Sequence, residues 1–94
     1  MTMLFVVRDK MKIARMRMSL TALKKELENI LTSAGFDAEQ YYIKMHEDHV
    51  SVHFDVKEAV EYFKGDFDDA VIAKECIFEY RKEGKTHAAC VYPW

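Results

Sequence analysis

The sequence predicts an α+β fold. A small single domain is expected, with an antiparallel sheet built from hairpins at about 41–56 and 76–92, packed against a main N-terminal helix and one or two short helices. Three observations carry that expectation. Apolar residues step by three and four from Leu20 to Ala34, the period of one helix face. Two later segments alternate apolar and polar residues around short polar turns, as half-buried hairpin strands do. The chain has 94 residues, half of them apolar, which is enough for one core and too few for a second domain.

Taken in order, Met3 to Val7 is wholly apolar and rich in β-branched and aromatic residues, the mark of a strand covered on both faces. The next stretch has two readings. Ile13 and Met16 extend the three-four spacing backwards, giving one helix from about Lys10 to Ser33. The rival makes Met11 to Met18 a strand, with Arg15 and Arg17 alternating against Met16 and Met18, and Ser19 or Thr21 capping a shorter helix. The unbroken phase favours the long helix slightly, and the rival stays open. In both readings Arg15, Arg17, Lys24 and Lys25 face solvent, and Gly35 supplies the C-terminal stop.

Tyr41 to Met45 and Val50 to Val56 alternate cleanly about a two-residue turn at Glu47 and Asp48. Met45 then opposes Val50, Ile43 opposes Val52 and Tyr41 opposes Phe54 on an apolar face. Tyr42, Lys44, His46, His49, Ser51 and His53 collect on the other, expected to be wet, with His46 beside His49. Asp55 is placed to cap a short helix carrying Ala59, Val60 and Phe63 and broken at Gly65. Asp66 would cap the next turn, with Asp68 and Asp69 where the helix dipole favours acids. The tail reads as a second hairpin with a three-residue loop at Lys82, Glu83 and Gly84, pairing Phe78 with Ala88, Tyr80 with Thr86 and Cys76 with Cys90. A two-residue loop at Glu83 and Gly84, setting Phe78 against Ala89, stays open.

Charge is distributed unevenly. Residues 1–34 hold seven cations against three acids, about +4, and the remainder holds seven against thirteen, about −6. Such asymmetry bears on partners rather than fold. Arg8, Lys10, Lys12, Arg15, Arg17, Lys24 and Lys25 form the candidate partner or nucleic-acid contact, because clustered cations neutralise backbone phosphates and Arg forks onto their oxygens. Met11, Met16 and Met18 lie among them and supply adaptable apolar surface. The competing account is a solvated face with Met in the core. Glu58, Glu61, Asp66, Asp68 and Asp69 are candidates for phosphate mimicry toward a basic partner, against capping and solvation.

Catalytic and metal chemistry find little footing. His46 and His49 across a turn, helped by Glu47 or Asp48, match no zinc spacing; His53 is too far along its strand to join them. Ser51, His53 and Asp55 lie in a line with side chains roughly 6–7 Å apart, too far for a triad relay. Cys76 and Cys90 read as buried packing thiols, reduced in the cytoplasm expected of a chain whose longest apolar runs are far too short for a bilayer and which has no cleavable leader. No phosphate loop, nucleophile elbow or C-x-x-C pair occurs. No catalytic residue, metal ligand or cofactor is therefore expected, and no small-molecule substrate is evident.

A domain of this size with split charge, Met-Arg interleaving at residues 11 to 18, exposed aromatics such as Tyr42 and Trp94, and no catalytic set resembles phage-encoded inhibitors of the anti-CRISPR kind. The resemblance implies a binder that blocks another machine, with a host protein or ribonucleoprotein complex as partner and possible contact to nucleic-acid backbone. Two other classes remain. One is a stand-alone RNA-binding module on the sheet face at Tyr42, Lys44 and His53; the other is a small enzyme or metal protein at His46 and His49.

Overall fold

The computed structural model describes residues 18–93. Helix α1, Leu20–Ser33, is followed by a 3-10 turn at Ala38–Gln40 and the hairpin β1, Tyr41–Met45, and β2, Val50–Phe54. Helix α2, Lys57–Asp68, a second 3-10 turn at Val71–Glu75 and the hairpin β3, Ile77–Glu83, and β4, Thr86–Tyr92, complete the described residues. All strand pairs are antiparallel, in the order β1-β2-β4-β3. Both helices pack on one side, an α+β arrangement. The core joins Leu23, Leu27 and Leu31 of α1 and Val60, Phe63 and Phe67 of α2 to Val50, Val52, Phe54, Ala89 and Val91 of the two central strands.

The main helix begins later than its apolar phase suggests. Ser19 is extended, at φ −66° and ψ 154°, and its hydroxyl accepts from the Ala22 N–H at 3.1 Å. An N-cap stops the helix from running back toward Lys10, because the capping residue cannot itself be helical. The expected Met3–Val7 strand and everything proposed for residues 10–17 lie outside the described residues. At the other end Gly35 takes φ 92°, the left-handed conformation anticipated for the stop.

The first hairpin has the expected register, Tyr41↔Phe54 through Met45↔Val50, and the His46 N–H donates to the His49 carbonyl at 2.9 Å. Its second strand ends at Phe54. Asp55 does not cap the following helix: the N-cap is Val56, with no side-chain hydrogen bond. Gly65 does not break α2, since buried Phe63 and Phe67 anchor the turns on both sides and outweigh the roughly 1 kcal/mol a helical glycine costs. Asp66, Asp68 and Asp69 consequently lie at the C-terminal end of α2, where the dipole opposes acids.

The second hairpin takes neither register considered from the sequence. Glu83 pairs with Thr86 and Phe78 with Val91, around a two-residue turn at Gly84 and Lys85. Gly84 has φ 60°, which suits the first central position of a hairpin turn, so glycine opens the loop rather than closing it. Cys76 and Cys90 are not partners; Cys90 opposes Glu79 and both thiols are free.

The two halves repeat one another. Shifting the first hairpin by 37 residues turns Tyr41↔Phe54 into Phe78↔Val91 and Met45↔Val50 into Lys82↔His87, both observed pairs. The same shift carries the start of α1, Leu20, onto the start of α2, Lys57. Val52 pairs with Ala89, its own equivalent under that shift. A two-fold pseudo-axis therefore passes between β2 and β4, and the described residues form two αββ units joined edge to edge.

Candidate functional site

The sheet face turned away from the helices carries the densest polar chemistry among the described residues. Strand alternation places Tyr42, Lys44, Ser51, His53, Ala88, Cys90, Glu79 and Arg81 there, with His46 and His49 at the turn. The expectation of a wet face holds at the edge strands, where Tyr42, Lys44, Glu79 and Arg81 are exposed, and fails on the central strands. Ser51 and His53 are each 1 % exposed, and Ala88 and Cys90 are fully buried. The Tyr42 ring lies parallel to His53 at 4.6 Å, and a second stack runs from His46 to His49 at 4.1 Å and on to Tyr92 at 4.6 Å. Arg81 binds Glu79 at 2.8 Å and reaches Tyr92 Oη at 3.4 Å, lying along the row that holds Cys90.

Beneath these rings runs a hydrogen-bonded line. His46 Nε2 is 2.8 Å from Ser51 Oγ, and Ser51 Oγ is 2.7 Å from His53 Nε2. Beyond it, His53 Nδ1 faces Thr86 Oγ1 at 3.4 Å and Glu83 Oε1 at 3.9 Å. Thr86 donates its hydroxyl proton to the Glu83 carbonyl at 3.0 Å, so toward His53 it accepts. A neutral His53 then carries its proton on Nδ1, and its Nε2 accepts from Ser51. Ser51 has no second proton, and His46 Nε2–H must donate to it. The line has one direction, from His46 through Ser51 to His53.

Two sequence expectations are corrected here. Ser51 and His53, alternate residues of one strand, do hydrogen-bond, because both side chains lean together instead of standing at the ideal strand spacing. His53 also joins the histidine pair, through Ser51. Asp55 is exposed and takes no part; the acid nearest His53 is Glu83, from the second hairpin, and no local spacing in the sequence points to it.

The line resembles a Ser-His-Glu relay in order and tautomer, yet its oxygen is committed. Ser51 Oγ receives a proton from His46 and gives one to His53, and at 1 % exposure it offers no approach to a carbonyl. A donor on the oxygen opposes nucleophilicity, since attack needs that lone pair. Burial holds both His46 and His53 below the usual imidazole pKa, with the neighbouring His49 adding to the effect on His46. The neutral forms that the line requires are thus the favoured ones. The hydrogen bond from His49 Nδ1 at 2.8 Å holds the Asp48 carboxyl below its ordinary value. Burial raises both thiols, that of Cys76 to about 11, which keeps them protonated and unreactive. Among the described residues no three of His, Cys, Asp and Glu are grouped to hold a metal ion.

The candidate cations fare unequally. Arg8, Lys10, Lys12, Arg15 and Arg17 lie outside the described residues. Lys25 is exposed on α1, while Lys24 is half-buried and 3.7 Å from Glu28, one turn on. Tyr42 is 49 % exposed, as expected, and Trp94 lies outside the described residues. None of the described helices is long and apolar enough to cross a membrane. No protein-family model, curated protein or solved structure matches the chain.

Proposed function

We propose that this chain is a non-catalytic binding protein that docks on and blocks a nucleic-acid-handling complex, in the manner of the anti-CRISPR inhibitors it resembles. The observation that carries the reading is electrical. Residues 1–17 hold five cations and one acid, a net +4, whereas residues 18–93 hold nine cations and fifteen acids, a net −6. Opposite net charges on two stretches of one chain favour oriented encounter with a partner that is itself polarised. Arg8, Lys10, Lys12, Arg15 and Arg17, together with the exposed Lys25 of α1, supply the contact to nucleic-acid backbone or to an acidic groove. Lys24 contributes less, because Glu28 already answers its charge. The engaged and buried oxygen of Ser51 supports a role without catalysis.

The test is affinity capture from the native host. The wild-type chain retrieves a nucleoprotein assembly, and a variant carrying Arg15→Glu, Arg17→Glu, Lys24→Glu and Lys25→Glu retains its fold and loses the assembly. Equal recovery by both proteins overturns the reading.

One observation favours a second reading, a stand-alone RNA-binding module. Tyr42 stands half-exposed on the edge strand, its ring held upright against His53, with Lys44 two residues along the same face. An unpaired base could stack there while the cation meets its phosphate. Gel shifts with random single-stranded RNA separate the two readings: binding without any protein partner, lost in Tyr42→Ala, selects the RNA module.

A further inference from the structure

The helical side of the molecule carries a surface of different chemistry. Where α1 ends and α2 begins, Phe36, Val56, Ala59 and Tyr62 floor an open groove of about 410 Å³, with Glu58 at its edge. A second depression of about 270 Å³ follows between the helices, reaching Ile30, Asp66 and Asp69. Ala34 borders both, so they form one track across the layer. From α2 the track receives Glu58, Tyr62, Asp66 and Asp69, spaced four, four and three residues apart on one helix face. Among the described residues no lysine or arginine borders it. Lys57 and Lys64 of the same helix instead lie over the Tyr80 and Phe78 rings of β3.

Three features of this track run against the stability of the protein itself. Tyr62 is 60 % exposed and Val56 is 53 % exposed, large apolar side chains at the mouth of one groove. Val56 occupies the N-cap of α2, a position for which valine is among the poorest residues. Asp66 and Asp69 lie at the C-terminal end of the helix, where the dipole repels them; among the described residues, Asp68 is the acid there held by a lysine, Lys64, at 2.7 Å. Local rules broken together at one surface are the pattern expected of a binding site.

Charge decides the occupant. A nucleic acid would meet Glu58, Asp66 and Asp69 with its phosphates, and an apolar partner would bury those carboxylates unpaired at high cost. A second copy docking through the same face would set acids against acids. We propose that this acid-edged groove is a docking surface for a lysine- or arginine-rich amphipathic segment of a partner protein. Its apolar side chains fill the floor at Phe36, Val56 and Tyr62, and its cations meet Glu58, Asp66 and Asp69. The inference draws on none of the N-terminal cations, so it does not depend on their contacting nucleic acid.

The experiment titrates the isotope-labelled full chain with a synthetic 14-residue amphipathic peptide of lysine and leucine, read by amide chemical shifts. Shifts confined to residues 29–40 and 56–70 are expected. Tyr62→Ser should weaken binding about tenfold, the scale of losing one aromatic anchor. Val56→Ser serves as a second variant, because it improves the cap and should bind more weakly while unfolding at higher temperature. A peptide of lysine alone should bind at least tenfold more weakly. Equal binding by the lysine peptide, or shifts on the outer sheet face indifferent to Tyr62→Ser, overturns the proposal. Two further outcomes overturn it by naming another occupant. Tighter peptide binding in an Arg15→Glu, Arg17→Glu variant puts residues 1–17 in the groove, and self-association lost in Tyr62→Ser puts a second copy there.

Discussion

Ser51 is the residue on which the outer face turns. Its single oxygen satisfies two imidazoles, one of them in His53 at 1 % exposure. Ser51→Ala removes both hydrogen bonds at once and leaves a ring nitrogen and a ring N–H without partners. Buried polar groups stranded in this way cost about 1–3 kcal/mol, and urea unfolding of the variant should register a loss of that size. Acid should act on the same line. Burial lowers the folded-state pKa of His46 and His53 from about 6.5, the value each regains on unfolding. Above that pH both states are neutral and the stability is whole. As pH falls through 6.5 the unfolded chain takes up protons that the folded one resists, so stability declines. Unfolding measured at pH 7.5 and 5.5 should show this decline, flattened in a His46→Gln, His53→Gln variant. An unchanged slope would place the titrating groups elsewhere.

The two helices are capped oppositely, and that difference is measurable. Ser19 gives α1 a hydroxyl cap, whereas Val56 gives α2 none. Ser19→Ala should lower stability, and Val56→Asp should raise it, each by about 0.5–2 kcal/mol in chemical unfolding. Equal and negligible effects would mean that packing alone sets the helix starts. These elements also mark where the sequence was legible. The first hairpin could be read to the residue because apolar alternation and a two-residue turn fix the register together. The second could not, since Ala88, Ala89 and Cys90 are small on both faces and alternation fades; the register then rested on where glycine sits in the turn. The start of α1 was ambiguous because Ile13 and Met16 keep the helical phase, and phase does not report a cap. Gly65 and the acids after it read as a break because local propensity does not see Phe63 and Phe67 gripping the core.

At the scale of the molecule, two αββ units meet across β2 and β4. From Met18 to Val56, only Ala22 matches the residue 37 places on, Ala59, so the repeat is visible in pairing and invisible in sequence. The quasi-symmetry brings Glu83 of one hairpin to His53 of the other, a contact between distant residues that neither unit could encode alone. The line from His46 through Ser51 to His53 lies within one hairpin and was missed because ideal strand spacing holds Ser51 and His53 apart; its Glu83 end was missed because that residue is distant in sequence. Charge divides along the chain: residues 1–17 carry a net +4 and residues 18–93 a net −6. The proposed function draws on that division, with contact proposed at Arg8, Lys10, Lys12, Arg15, Arg17 and Lys25. The most direct test is the salt dependence of affinity for the captured assembly, measured between 50 and 300 mM salt. The account predicts a steep loss with a log-log slope of about −3 to −5, since each phosphate contact contributes somewhat less than one unit, and a shallower slope in Arg15→Glu, Arg17→Glu. An affinity indifferent to salt, or a slope unmoved by those substitutions, would contradict it.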